Sequence, residues 1–225
     1  MVLLLDEFDD LEQKVRARQL GPEVFGQLRH LIQHGDNIRF VLSGTHRLEE
    51  LAGEYWSFLL NLATYRRLGP LAGDEAEALI RRPLEAVGLV CEDAAVSLAT
   101  RLAGRQPYLL QLLGYRLVER CLERDEGAVD VALVDAAAEE VVEQGEIHLR
   151  YLWDSAGPHG QVVLSALAQA GSWASQAGLE QVTGLRSREL ARVVRTLKDF
   201  DTIAEEEGWF RLQIGLLGRW VTKRL

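Results

Sequence analysis

The sequence predicts a mainly α-helical protein with a small α/β part at its N-terminus. Three observations carry that prediction. Val2-Leu3-Leu4-Leu5 is an unbroken aliphatic run that stops at Asp6-Glu7, and Ile38–Leu42 (IRFVL) is a second short apolar run. Elsewhere the apolar residues recur at helical spacing, with Gly and Pro as the main breaks. The last segment, from about Leu149, reads as three helices and a hairpin.

The composition fits an ordinary globular chain. It has 225 residues, 48% hydrophobic and 26% charged, with room for two or three small domains. A net charge of −9 argues against wholesale coating of nucleic acid but leaves room for a local basic patch. No apolar run is long enough to cross a bilayer. The N-terminus lacks a basic lead and a small-residue cleavage site, so no signal peptide is expected. Cys91 and Cys121 have no metal-ligand spacing, which fits two free thiols in a cytoplasmic protein. His30 and His34 share a helix face without the glutamate of a zinc protease motif, and read as surface residues.

An aliphatic run without polar alternation reads as a strand buried on both faces, as in the middle of a parallel sheet. Asp6 and Glu7 at its C-terminal end stand where open α/β sheets place their ligand site. Taken alone, the same residues also fit a core strand followed by a solvated acidic turn. Leu11 to Arg18 is polar and helical, and Gly21-Pro22 breaks it. From Glu23 to His34, Val24, Leu28, Leu31 and Ile32 recur at helical spacing until Gly35. Strand, helix and strand at this spacing form a right-handed parallel unit. That places Thr45 and its neighbours in Ser43-Gly44-Thr45-His46-Arg47 on the same sheet edge as Asp6 and Glu7. A polar βα loop with a helix cap fits those residues equally well.

Leu48 to Asn61 reads as an apolar helix carrying Tyr55, Trp56 and Phe58, and Ala63–Leu68 as a third strand. At Gly73-Asp74 the character changes. Asp74 and Glu77 form a capping-box-like start, and the chain is helical to about Glu123, with breaks at Pro83, Gly88 and Gly104-Arg105-Gln106-Pro107. An acidic, alanine-rich helix from about Val131 to Glu146 follows.

The final segment reads as a winged helix. Val162–Ala170 and Ala177–Thr183 are its first two helices, Gly184-Leu185 the turn, and Ser187 caps a third helix through Phe200. Leu190, Val193, Val194 and Leu197 face inward on that helix. Arg188, Arg192 and Arg195 form a basic outer stripe, with Arg186 and Lys198 near its ends. Thr202-Ile203-Ala204, the turn Glu205-Glu206-Glu207-Gly208, and Trp209 to Leu212 read as a two-stranded wing. A basic third helix is what a helix-turn-helix lays in the major groove. The glutamates repel phosphate, and a solvated face or a contact to another domain accounts for the stripe as well.

The order of these pieces resembles a bacterial or archaeal AAA+/STAND-type P-loop ATPase. The matching stretches are VLLLDEFDDLE, IRFVLSGTHRL, LGPLAGDEAEALIRRPLEAVGL, AGRQPYLLQLLGYRLVE and the terminal winged helix. The resemblance implies ATP and Mg2+ as cofactors. By it, Asp6 in the Walker B strand is linked to the magnesium ion, Glu7 is the catalytic base, and Thr45 or Arg47 is sensor 1. Gly104 and Pro107 would lie at the nucleotide, with Pro107 against the adenine. One departure is severe. A P-loop requires G-x-x-x-x-G-K-[ST], and the only lysines are Lys14, Lys198 and Lys223, none in that setting.

The chain therefore reads as the C-terminal part of a longer ATPase. The expected parts are a partial P-loop core (1–72), a helical lid (73–127), a connecting helix (128–148) and a winged helix (149–225). The missing strand leaves the edge of Ile38–Leu42 unpaired and favours self-association. ATP-driven switching is the expected function, without hydrolysis by this chain alone. A winged-helix DNA-binding regulator on a remnant ATPase scaffold and a protein-interaction module are the alternatives.

Overall fold

Val2–Leu5 (β1) and Arg39–Leu42 (β2) lie side by side in parallel, Val2 opposite Arg39 and Leu5 opposite Leu42. Two helices fill the connection, Asp10–Arg16 (α1) and Glu23–His34 (α2). A parallel pair needs such a crossover, because no tight turn can join strands running the same way. The computed structural model describes residues 1–8, 10–44, 57, 62–124 and 127–225. It divides into two units, Met1–Leu68 and Gly69–Leu225.

In the first unit Phe8, Val15, Phe25 and Leu28 are buried, and Leu5, Phe40 and Leu42 pack against them. Side chains alternate along a strand, so the remaining strand residues point the other way. Val2 is 61% exposed, Leu4 74% and Val41 54%. The expectation of strands buried on both faces is thus corrected. Both helices contribute to one cluster on one face, and no described element of this unit covers the other. Neither outer edge of the sheet is paired with a strand among the described residues.

The expected third strand, Ala63–Leu68, does not form either. Residues 64–69 have no regular structure, and Leu68 is 95% exposed. Strand propensity in a short run counts only where a neighbour offers an open ladder. Most of the helix expected at Leu48–Asn61, including Tyr55, Trp56 and Phe58, lies outside the described residues.

The second unit opens with Gly73–Ala86 (α3), Val90–Cys91 (β3), Asp93–Leu102 (α4) and Pro107–Arg124 (α5). Ala128–Val129 (β4) returns beside β3 in parallel, and Val131–Gln144 (α6) and Glu146–Ser155 (α7) follow. The cap of α3 uses Glu75 rather than Glu77: its carboxylate accepts the Ala72 N–H at 3.0 Å. Pro83 lies inside α3 and does not break it. Ile80, three residues before Pro83, and Leu84, directly after it, are fully buried, and their packing holds the turn across the missing N–H. Gly88, at φ 86°, ends the segment instead. Gly145 divides the single expected helix at Val131–Glu146 into α6 and α7.

Gly157–Ala170 (α8), Ala174–Ser175 (β5), Gln176–Thr183 (α9) and Ser187–Asp199 (α10) come next. The chain closes with a hairpin of Ile203–Glu206 (β6) and Trp209–Leu212 (β7), and with Gly215–Thr222 (α11). The sheet order is β5-β7-β6, antiparallel throughout. Glu207 and Gly208 both have positive φ (49° and 80°), the turn whose twist suits a two-residue hairpin. The cap of α10 lies one residue before the expected one, Ser187. Glu189 accepts the Arg186 N–H at 3.2 Å, so Arg186 is the N-cap and Ser187 the first helical residue. Leu190, Val194 and Leu197 are buried as expected, with Val193 packed at the margin.

One continuous core runs from Ala76 in α3 to Val221 in α11. Helix α11 contributes Leu216, Leu217, Trp220 and Val221 to it. Its polar side is tied back to α6, where Arg219 meets Asp135 and Glu139 and Lys223 meets Glu139.

Candidate functional site

The register of the parallel pair builds the first site. With Leu5 opposite Leu42, the next residues, Asp6 and Ser43, leave the sheet together at its C-terminal edge. The Ser43 N–H donates to Leu5 O at 2.9 Å, and the Phe8 N–H donates back to Ser43 O at 3.1 Å. Ser43 Oγ then donates to Asp6 Oδ1 at 2.6 Å, and the Glu7 N–H donates to the same oxygen at 3.1 Å. The Asp6 carboxylate is therefore oriented by a hydroxyl and an amide. Glu7 sits at φ 50°, a left-handed angle that costs an L-residue about 1–2 kcal/mol. Buried Phe8, one residue on, anchors the turn that imposes it. Both carboxylates face solvent.

Sequence reasoning singled out Asp6 and Glu7 and passed over Ser43 in favour of its neighbours. Thr45 and Arg47 lie outside the described residues. The signal for Ser43 was present: each acid or hydroxyl directly follows the last apolar residue of its strand, and in-register parallel strands bring such residues together.

An exposed pair of acids, one of them held rigidly, suits a hydrated magnesium ion, which keeps most of its waters and takes few protein ligands. Among the described residues no group of three or more His, Cys, Asp or Glu side chains converges on one point. The residues present fit the metal and water side of a magnesium nucleotide. A phosphate cradle of the G-x-x-x-x-G-K-[ST] kind is not among them.

Gly104 and Pro107 belong to the second unit. Gly104 is buried at φ 61°, and a Cβ there would fall 2.7 Å from Gln213 O and from Ile214 Cγ1. Only glycine allows the backbone before α5 to approach the turn into α11 so closely. Pro107 is exposed at the first position of α5, where a missing N–H costs nothing.

On α10, Arg188, Arg192 and Arg195 are exposed, with no ion-pair partner among the described residues. The ends of the expected stripe are engaged. Arg186 Nε lies 3.4 Å from Glu189, and Lys198 donates to Glu205 at 2.5 Å. That second bond also neutralises one of the three wing glutamates.

The architecture has counterparts among solved structures. A Walker-type ATPase of Pyrococcus abyssi superposes with a TM-score of 0.62 at 16% identity, over 98% of this chain and 63% of its own. The RuvB Holliday junction branch migration motor of Thermotoga maritima matches at 0.52 and 17% identity, over 94% of this chain and 66% of its own. The ORC2 protein of Aeropyrum pernix, in ADPNP-ADP complexes, matches at 0.50 and 14% identity, over 99% and 65%. No protein-family model and no curated protein matches the chain. The chain has the fold of P-loop ATPases, and it spans 63–66% of the length of these three structures.

Proposed function

We propose that this chain is the C-terminal portion of an AAA+/STAND-type ATPase that works as a nucleotide-driven switch. The observation that carries the reading is the oriented Asp6 carboxylate beside Glu7 at the C-terminal edge of a parallel strand pair. The shared fold supports it across both units. On this reading Met1–Leu68 is the Walker B side of the core, α3 to α5 form the lid, and α8 to β7 form a winged helix. Asp6 holds the hydration shell of a magnesium ion, Ser43 and the Glu7 amide fix its carboxylate, and Glu7 polarises water as general base. Magnesium, when bound, neutralises charge on the phosphates. Phosphate positioning, which supplies most of the rate in phosphoryl transfer, comes from residues outside these 225.

The test begins with the DNA upstream of codon 1, which is expected to encode an in-frame P-loop. The protein extended to include it should hydrolyse ATP, and Glu7→Gln should abolish turnover while ATP still binds. The 225-residue chain alone should show no magnesium-dependent turnover above background. Micromolar ATP binding with Glu7-dependent turnover by this chain would overturn the need for an external cradle. Failure of the extended protein to bind ATP would overturn the ATPase reading itself.

A second reading has its own support. The order helix, strand, helix, helix, hairpin from α8 to β7, with three arginines on α10 that have no ion-pair partner among the described residues, fits a duplex DNA contact at the third helix.

A further inference from the structure

A cleft of about 940 Å³ opens between the last turn of α4, the end of α8, strand β7 and helix α11. Leu102, Leu167 and Leu212 line its apolar part. Its size falls within the ordinary range for small-molecule sites, about 300–1,000 Å³. Trp209 and Arg211 lie on one face of β7, since Phe210 between them is buried in the core. The Arg211 guanidinium sits over the Trp173 ring, 4.9 Å from its centroid. Trp173 and Arg211 both line the cleft, with Arg101 and Glu206.

The charges in the cleft divide into two sets. Arg219 and Lys223 are already matched by Asp135, Glu139 and Glu143. Arg101 and Arg211 have no carboxylate partner among the described residues, and Glu206 has no cation. The half-buried Arg211 guanidinium, stacked on Trp173, donates one long bond from Nη1 to Leu212 O at 3.5 Å and keeps the rest of its hydrogen-bonding edge for an anion. Two unmatched cations against one unmatched acid suit a single anionic group. A polyanion such as nucleic acid would meet Glu206 and the α6 acids with too few free cations to offset them.

We propose that this cleft binds a small planar ligand with one anionic head group, a carboxylate or a phosphate monoester. Its ring lies on the apolar lining beside Trp173, and its head group is held by Arg101 and Arg211. Such a ligand touches the α3–α6 bundle and the β7–α11 segment at once, so its binding stiffens the join between them. The proposal is independent of the nucleotide reading, since none of its residues belongs to the Asp6 site.

The test uses the full chain with three probes of one ring system: 1-naphthoate, 1-naphthyl phosphate and neutral 1-naphthalenemethanol. Saturation-transfer NMR and calorimetric titration read the binding. At least one anion should bind roughly tenfold more tightly than the alcohol, and which one does so identifies the head group. Arg101→Gln and Arg211→Gln should each weaken that anion about tenfold, the effect of losing one charge-assisted bond. Arg82→Gln, an exposed position on α3 outside the cleft, should change nothing. If Arg211→Gln does not fold, the exposed Arg101→Gln decides. Equal binding of all three probes, no anion binding by about 10 mM, or undiminished anion binding in folded Arg101→Gln would overturn the proposal.

Discussion

Asp6, Glu7 and Ser43 show how little of a site lies in residue identity and how much in register. The two acids stand out in the sequence because an aliphatic run ends on them. Ser43 does not, since serine after a strand is common and its partner is fixed only once Leu5 is set opposite Leu42. Gly104 was legible as a special position, but its neighbours, Gln213 and Ile214, lie too far along the chain for spacing to reveal them. His148 is a residue that no motif singled out. It lies on α7, its Nε2 is buried with no hydrogen-bond partner, and its ring centroid is 5.1 Å from that of Tyr108. Burial holds its pKa below the usual histidine value. The folded state therefore keeps it neutral while the unfolded chain takes up a proton first. That stability is complete above about pH 6.5 and is lost progressively as the pH falls below it. Glu139, held low chiefly by Lys223, and Glu146, held low by Arg150 and Arg224, lose their contributions only below the ordinary carboxylate range. Thermal melts from pH 7.5 to 5 should thus show a falling Tm in the wild type and a flatter profile in His148→Leu. Identical profiles would remove His148 as the cause.

At the scale of elements, periodicity and breakers located most helices, and errors arose where tertiary packing overrode a local signal. Gly184 and Gly208 ended or turned the chain as their φ freedom suggests. Pro83 did not, because buried residues on either side hold its helix together. The run Ala63–Leu68 has strand-like composition and no ladder to join. Helix α10 is the element whose outer face matters most, and its expected stripe of five cations reduces to three with no ion-pair partner among the described residues. If α10 contacts duplex DNA, each phosphate bond from Arg188, Arg192 or Arg195 adds about one unit to the slope of log affinity against log salt. The triple change to alanine should flatten that slope by up to about three units in fluorescence anisotropy titrations. Arg186→Ala should matter less, because its side chain is committed to Glu189. An unchanged slope in the triple variant would exclude α10 as the contacting surface.

For the whole molecule, the two units differ in how much they bury. Among its described residues the first has four buried apolar side chains, Phe8, Val15, Phe25 and Leu28, beneath a two-stranded sheet. A fully buried aliphatic or aromatic side chain contributes roughly 1.5–3 kcal/mol, so this core is small against the entropy of ordering its chain. Two-stranded sheets are marginal by themselves. Among the described residues, Val2, Leu4 and Val41 leave its other face apolar and uncovered, and its edges are unpaired. The second unit has a continuous core from α3 to α11, closed by ion pairs between α6 and α11. It has what an independent domain requires. A fragment Gly69–Leu225 should therefore be monomeric and helical and should unfold in one cooperative transition. The full chain should self-associate through the open face and edges of the first unit. Light scattering after size-exclusion chromatography, at concentrations around 100 μM, separates these outcomes, and Leu4→Lys with Val41→Lys should return the full chain toward a monomer. A monomeric wild-type full chain would mean that the face of Val2, Leu4 and Val41 is covered in solution. A fragment that fails to fold would mean that the core from Ala76 to Val221 depends on Met1–Leu68.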